Sequence, residues 1–373
     1  MVSMQHPIAL LSKDQIRKLY NIHTGDAVVD KSRDDVVARA TADLKNPPKA
    51  FKEVRVWFNP TAKDMLSWPA DRIAAYRKEV AYNESLVKSG AVGGNLSFSN
   101  EGGRCYLHTL AFLITKNQAF ATKVFDIVRA WSNTCKTFGL IGENGPLEAG
   151  WGLTCMANSM EIMRSVRGIP PDVHPAFVAF VKNVLMPQLV SHDQNGIIVG
   201  FPAKGNWGCT FIGARLCAAI YIGDQDEVDR CLANAKLMFN NLFVGHDGQE
   251  VETTRDLTHT QMGLGGMIFF CEVFYNMGID IYSTNDNILL KSLEFHASII
   301  LGEPVPPNLV GQFVDPQHQF RSANWDVAYN HFVNIKRMAM PKTKAMLEKH
   351  RPENQMFQSG YGTLTHWGTS MVK

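Results

Sequence analysis

One period dominates this chain. Apolar residues recur three and four apart in stretch after stretch, and short turns rich in Gly, Asp, Asn and Pro close each one. In residues 119–138 (AFATKVFDIVRAWSNTCKTF), Phe120, Val124, Ile127, Val128 and Trp131 fall on a single stripe. Residues 150–164, 174–186, 208–222, 227–243, 262–277 and 287–300 repeat the spacing. That is the period of a helix burying one face. The turns GENGP, RGIPPD, YIGDQD, GHDGQ and NMGID lie between these stretches, and their Gly and Pro residues interrupt helices for steric reasons. No strand-like alternation of comparable length is present, although 197–205 (IIVGFPAKG) reads as a short extended piece. The Gly/Ser/Asn-rich segment 92–104 (VGGNLSFSNEGGR) reads as a mobile loop suited to a lid.

Eight or more amphipathic helices with short connections, and no heptad long enough for a coiled coil, predict antiparallel helical hairpins. Such hairpins can close into a ring. The expected fold is therefore all-α, an α/α toroid or incomplete α/α barrel with an open groove or tunnel. A ring also lets one domain span residues 1–373, because each hairpin buries its face only against its neighbours. The composition, 45% apolar and 19% charged, is that of a globular chain. A net charge of +2 announces neither nucleic acid nor an anionic membrane as partner. The apolar run in the opening MVSMQHPIALLSKDQIRKLY is too short for a signal-peptide core, and no stretch is read as reaching the ~18 apolar residues of a membrane helix. An intracellular protein and an exported one whose leader has been removed both remain open. The seven cysteines form no CxxC pair. They are expected to be buried thiols, with one or two disulfides if the protein is exported and no zinc site. A monomer is expected.

The stretch ETTRDLTHTQMGLGG (252–266) concentrates the chemistry, with Glu252, Arg255, Asp256 and His259 directly before an apolar helix. Asp256 or Thr258 is placed to cap that helix. His259 then sits in the first turn, where the macrodipole disfavours an imidazolium and leaves a ring able to accept a proton. A merely capping or packing histidine is the alternative. Arg255 suits bidentate binding of a carboxylate, or a surface pair with Asp256 or Glu252. A buried, protonated Glu252 would donate a hydrogen bond to the same ligand.

Four phrases carry, in order, a family resemblance: AFATKVFDIVRAWSNT, NGPLEAGWG, GNWGCTFIGARLCAAIYIGD and DGQEVETTRDLTHTQMGLGGMIFFCEVFYNMGIDIYS. NWDVAYNHF (324–332) and SGYGTLTHWG (359–368) extend it. Together they resemble the alginate lyase family, α/α-toroid polysaccharide lyases that act on polyuronates such as mannuronan or glucuronan. The likeness covers roughly residues 75–368, which makes residues 1–74 an N-terminal extension and first helices. It implies β-elimination on an anionic polyuronate. That reaction needs the uronate carboxylate neutralised, the C5 proton removed and the departing O4 protonated, which Arg, amides, His and Tyr perform without metal or organic cofactor.

Under the resemblance, Asn206 stands where the family has a carboxylate-binding Asn, its amide offering two donors. A helix cap is the plainer reading. Trp207 becomes a sugar-stacking wall or a core residue. Tyr329 in NWDVAYNHF is the candidate acid opposite His259, with His331 and Arg321 on the same wall. Tyr106 and Tyr361 are the other tyrosines considered for that role. Glu143, Glu148 and Trp151 border the groove, and Arg104, Lys204 and Arg321 line subsites for the anionic chain. The best-known branch of the family has Asn-His where this chain has Asn206-Trp207, and a helix tyrosine where this chain has His259. Its proton-transfer roles are therefore redistributed here. The competing reading is an inverting glycoside hydrolase on a similar ring, which needs two carboxylates roughly 6.5–9.5 Å apart. Glu143, Glu148, Asp247 and Glu252 are available for it. A non-catalytic helical scaffold is the third.

Overall fold

The computed structural model describes residues 6–57, 65–140, 144–191, 193, 205–245, 247–309, 320–354 and 360–367. In chain order the helices are α1 (Lys13–Lys18), α2 (Ala27–Asp43), α3 (Ala70–Lys88), α4 (Ser97–Thr115), α5 (Gln118–Thr134), α6 (Gly145–Val166), α7 (Val173–Phe180) and α8 (Met186–Val190). They continue as α9 (Asn206–Ile222), α10 (Gln225–Asn241), α11 (Leu257–Asn276), α12 (Thr284–Ile300), α13 (Trp325–Tyr329), α14 (Pro341–His350) and α15 (Gly362–His366). Strand β1 (Glu53–Val56) pairs in parallel with β2 (Thr137–Leu140), and β3 (Phe243–Val244) pairs antiparallel with β4 (Gln249–Glu250).

The packing order makes a ring. Helix α2 lies against α4, α4 against α6, α6 against α9, α9 against α11, α11 against α13 and α13 against α15, which returns to α2. Outside it, α5 covers α4, α10 covers α9, and α14 covers α12. The outer helices are amphipathic as predicted: α5 buries the stripe Phe120, Val124, Ile127, Val128 and Trp131. The inner ones are not. Helix α9 is buried at every position from Asn206 to Tyr221, because neighbours surround it and its sequence is apolar on all sides. Its one charge, Arg215, is fully buried and paired with Glu227 at 2.6 Å and Asp193 at 2.5 Å.

The segment 92–104, expected to be a lid, instead runs into α4, whose N-terminal turns it forms. Its glycines serve close packing rather than mobility. A Cβ on Gly102 would lie 2.6 Å from the carbonyl oxygen of Gly152 in α6, so the two inner helices touch backbone to backbone there. The N-terminal residues are likewise integrated: Ile8–Leu11 are buried, and the Leu10 N–H donates to Asn158 Oδ1 at 2.9 Å. The extended piece predicted at 197–205 lies outside the described residues except for Gly205. Contrary to the sequence reading, Val173–Val190 is long and apolar enough for a membrane span by length and composition. Here it is interrupted by a π turn at Val181–Leu185 and lays Phe177, Phe180, Leu185 and Leu189 on the core. All seven cysteines are buried and none is bonded to another.

Candidate active site

The turn between β4 and α11 is built around buried carboxylates. Both oxygens of Glu252 accept N–H bonds: Asn206 donates from its backbone at 2.8 Å and from Nδ2 at 2.8 and 3.0 Å, and Arg255 Nη1 donates at 3.1 Å. Asn206 opens α9, so Glu252 also meets the positive end of that helix. Gly205 is required beside it, since a Cβ there would come within 2.7 Å of Glu252 Oε2. These bonds revise two expectations. Asn206 spends its amide donors on Glu252, and the atom left over is Oδ1, buried and without a partner among the described residues. Both Glu252 oxygens are engaged as acceptors of these N–H groups. The carboxyl that burial pushes well above the ordinary glutamate range is Glu250, aided by the adjacent Glu252 charge. Glu250 is fully buried and accepts the Glu252 N–H at 2.7 Å.

Asp256, the N-cap of α11, accepts the His259 backbone N–H with Oδ1 at 2.7 Å and meets His259 Nδ1 with Oδ2 at 2.6 Å. Burial alone would raise this carboxyl, but the bonds from the His259 ring and backbone hold it below the ordinary aspartate range. In a neutral ring the contact selects the tautomer with the proton on Nδ1, which leaves the lone pair on Nε2. Arg255 and His259 are the open members of the cluster, with 42% and 32% of their side chains exposed. Thr258, beside His259, lines a groove of about 720 Å³ that also takes in Arg39, Ser99, Asn100, Arg321, His350 and Asn354. No acidic side chain is among the described residues lining it.

Other predicted site residues are held elsewhere. Arg321 does line the groove, its backbone N–H bonded to Gln261 Oε1 at 2.8 Å. Tyr329 ends α13 with the Arg351 guanidinium carbon 5.5 Å over its ring, among the charges of Glu348, Asp326 and Glu294, and burial raises its phenol. His331 lies at the other end of α11, stacked on Tyr282 at 3.8 Å and edge-on to Tyr275, and burial pushes it down to about 4. It is a core histidine. Arg104 is spent on Asp43, Glu101 and the carbonyls of Asn46 and Pro47. Glu148 caps α4, accepting the N–H groups of Leu96, Phe98 and Ser99, so it serves neither as subsite nor as a hydrolase's acid. Trp151 and Trp207 are core residues. Lys204 and Glu143 lie outside the described residues. Arg39 and Glu250 escaped the sequence reading; the spacing of QEVE was a signal for the second, and nothing local marked the first.

A ring of helical hairpins around a groove whose described lining is basic and not acidic is an α/α toroid suited to an anionic chain. The comparisons agree. The chain belongs to the alginate lyase family, whose model matches residues 28–306, and is accordingly a polysaccharide lyase. An alginate lyase from Bacteroides ovatus superposes with a TM-score of 0.62 at 14% identity, over 97% of this chain and 100% of that one. Alginate lyase A1-III from Sphingomonas species A1 gives 0.60 at 13%, over 97% and 99%. A variant of A1-III complexed with a tetrasaccharide gives 0.61 at 12%, over 97% and 99%. At such identities the likeness is one of fold. No curated protein sequence matches this chain.

Proposed function

We propose that this protein cleaves a β-1,4-linked polyuronate, poly-mannuronate or glucuronan, by β-elimination at the start of α11. The observation supporting this reading is the turn 252–259, where an imidazole held by a carboxylate stands beside a half-exposed guanidinium. Arg255 pairs with the uronate carboxylate and so acidifies the C5 proton. His259 Nε2 removes that proton. The C–H electron pair becomes the C4=C5 double bond, the C4–O4 bond breaks, and its electrons leave on O4. In both sugars the C5 proton and O4 lie on one face, so the imidazolium can return the same proton to O4. Asp256 stabilises the imidazolium between the two transfers. One histidine thereby fills the roles first divided between His259 and Tyr329. No step uses a metal or organic cofactor. All participating residues come from one chain, and a monomer suffices.

The two sugars differ only at C2, so the preference between them rests on how the groove walls meet O2. The test is to incubate the purified protein with poly-mannuronate, glucuronan, poly-guluronate and hyaluronan, following both ultraviolet absorbance of unsaturated uronate and new reducing ends. Absorbing ends are expected from one of the first two. His259→Ala should lower kcat/KM by about 10²- to 10⁴-fold without shifting the melting temperature. Reducing ends that appear without absorbance would establish hydrolysis, and no cleavage of any polymer would sink the lyase reading.

A further inference from the structure

We propose that Arg39 and Tyr361 form a second carboxylate-binding subsite in the groove, where the polyuronate is gripped by a sugar other than the one cleaved. The inference rests on the polyuronate reading above. In the ring, α2 is separated from α11 by α13 and α15, so a guanidinium on α2 reaches the groove from a wall different from that of Thr258 at the start of α11.

The two residues come from opposite ends of the chain. Arg39 is an exposed residue on α2 that lines the groove. It has no carboxylate partner among the described residues, unlike Arg104, Arg215, Arg255 and Arg351, each of which is ion-paired. What Arg39 does meet is Tyr361. Its guanidinium carbon lies 5.9 Å from the Tyr361 ring centroid, and its charge acts on the phenol from there. Tyr361 is buried, packs its ring on Tyr106 at 6.2 Å between centroids, and stands at the head of α15 with φ 62°. A left-handed backbone is unfavourable for a tyrosine, so its surroundings must hold it in place. Burial pushes the phenol up to about 12, against the opposing effect of Arg39. A neutral hydroxyl orients a guanidinium without cancelling its charge, which stays available to an anion. The groove supplies uncharged hydrogen-bonding partners for a sugar in Ser99, Asn100 and Asn354. Arg39 is thus a binding residue and Tyr361 a positioning residue.

The experiment compares wild type with Arg39→Ala, Arg39→Lys and Tyr361→Phe, on the preferred polyuronate and in calorimetric binding of a saturated uronate hexamer. A carboxyl-reduced hexamer serves as the uncharged control. Arg39→Ala should raise KM about tenfold or more, the value of a charge-assisted hydrogen bond, with kcat changed less than about threefold. It should weaken hexamer binding by a similar factor and flatten its salt dependence. Arg39→Lys should recover part of the loss. Tyr361→Phe keeps the ring packing, so it should raise KM in the same direction at an unchanged melting temperature. If Arg39→Ala binds and cleaves like wild type, the subsite is overturned while the lyase reading stands. If wild type yields no unsaturated product yet binds the hexamer through Arg39, the lyase reading fails and the subsite stands. If wild type neither cleaves nor binds, both are overturned.

Discussion

Asp256 does two things with two oxygens. Oδ1 caps α11 through the His259 backbone, and Oδ2 holds the His259 ring. Asparagine at this position would keep the cap, since either residue serves at an N-cap, but it would remove the negative charge facing the imidazolium. Asp256→Asn is therefore expected to reduce kcat by about 10²- to 10⁴-fold with a melting temperature close to wild type. A variant that melts early and keeps the kcat of its folded fraction would show that the aspartate only caps. Glu250 is the opposite case, a carboxyl that burial and its charged neighbour push towards the neutral form. Its amide analogue should fit the same place, and its pH signature appears at the scale of the whole molecule.

At the scale of elements, three inner helices begin at the mouth of the ring without a capping side chain of their own. Glutamates from elsewhere cap them instead. Glu148 of α6 accepts from the start of α4, Glu252 from Asn206 of α9, and Glu353 from Ala323, Trp325 and Asp326 at the start of α13. This explains why acidic residues are buried in an otherwise apolar ring: each satisfies N–H groups that the helix leaves open. The approach of α4 to α6 depends on Gly102, where an added methyl meets Gly152 backbone at 2.6 and 2.8 Å. Backbone cannot step aside as a side chain can. Gly102→Ala should cost about 1–3 kcal/mol, the range for overpacking, read as a lower denaturation midpoint. An unchanged midpoint would mean the helices have room to part.

For the whole molecule, the buried titratable groups set the pH window of stability. His296 is buried against Ser292 and Thr253, and both it and His331 are pushed by burial to about 4. The unfolded chain takes up protons near the ordinary histidine value of ~6.5, so this contribution is present above that pH and is lost as pH falls towards 4. Glu250 and Glu353 act in the other direction. Burial raises both, Glu353 to about 8 with the Asp326 charge assisting, so the folded state keeps protons that the unfolded state releases above its ordinary value of ~4.3. Their contribution is present at low pH and lost as pH rises through the raised values. The two trends offset each other between about 4.5 and 6.5, and the carboxyls alone act above that. Denaturation midpoints should therefore fall from pH 6.5 towards 8, and Glu250→Gln with Glu353→Gln should flatten the decline. A wild-type midpoint constant across that interval would contradict the assignment of neutral carboxyls.

What the sequence determined by itself was local. The helical period, the breaks between helices and the Asp256–His259 spacing each act within a few residues, where cap and ring contacts form along the chain. Asp256 proved the cap of α11, and His259 and Arg255 are indeed its open neighbours. The family resemblance was legible for the same reason, in phrases that each cover a helix or a turn. Tertiary structure alone decided which helices are enclosed, and so why α9 is apolar on every side while α5 carries a stripe. It moved Arg104, Glu148 and His331 out of the candidate site and brought Arg39 beside Tyr361 by closing the ring between α2 and α15. Desolvation and ion pairing depend on what surrounds a group in space, and a ring assembles those surroundings from residues far apart in sequence.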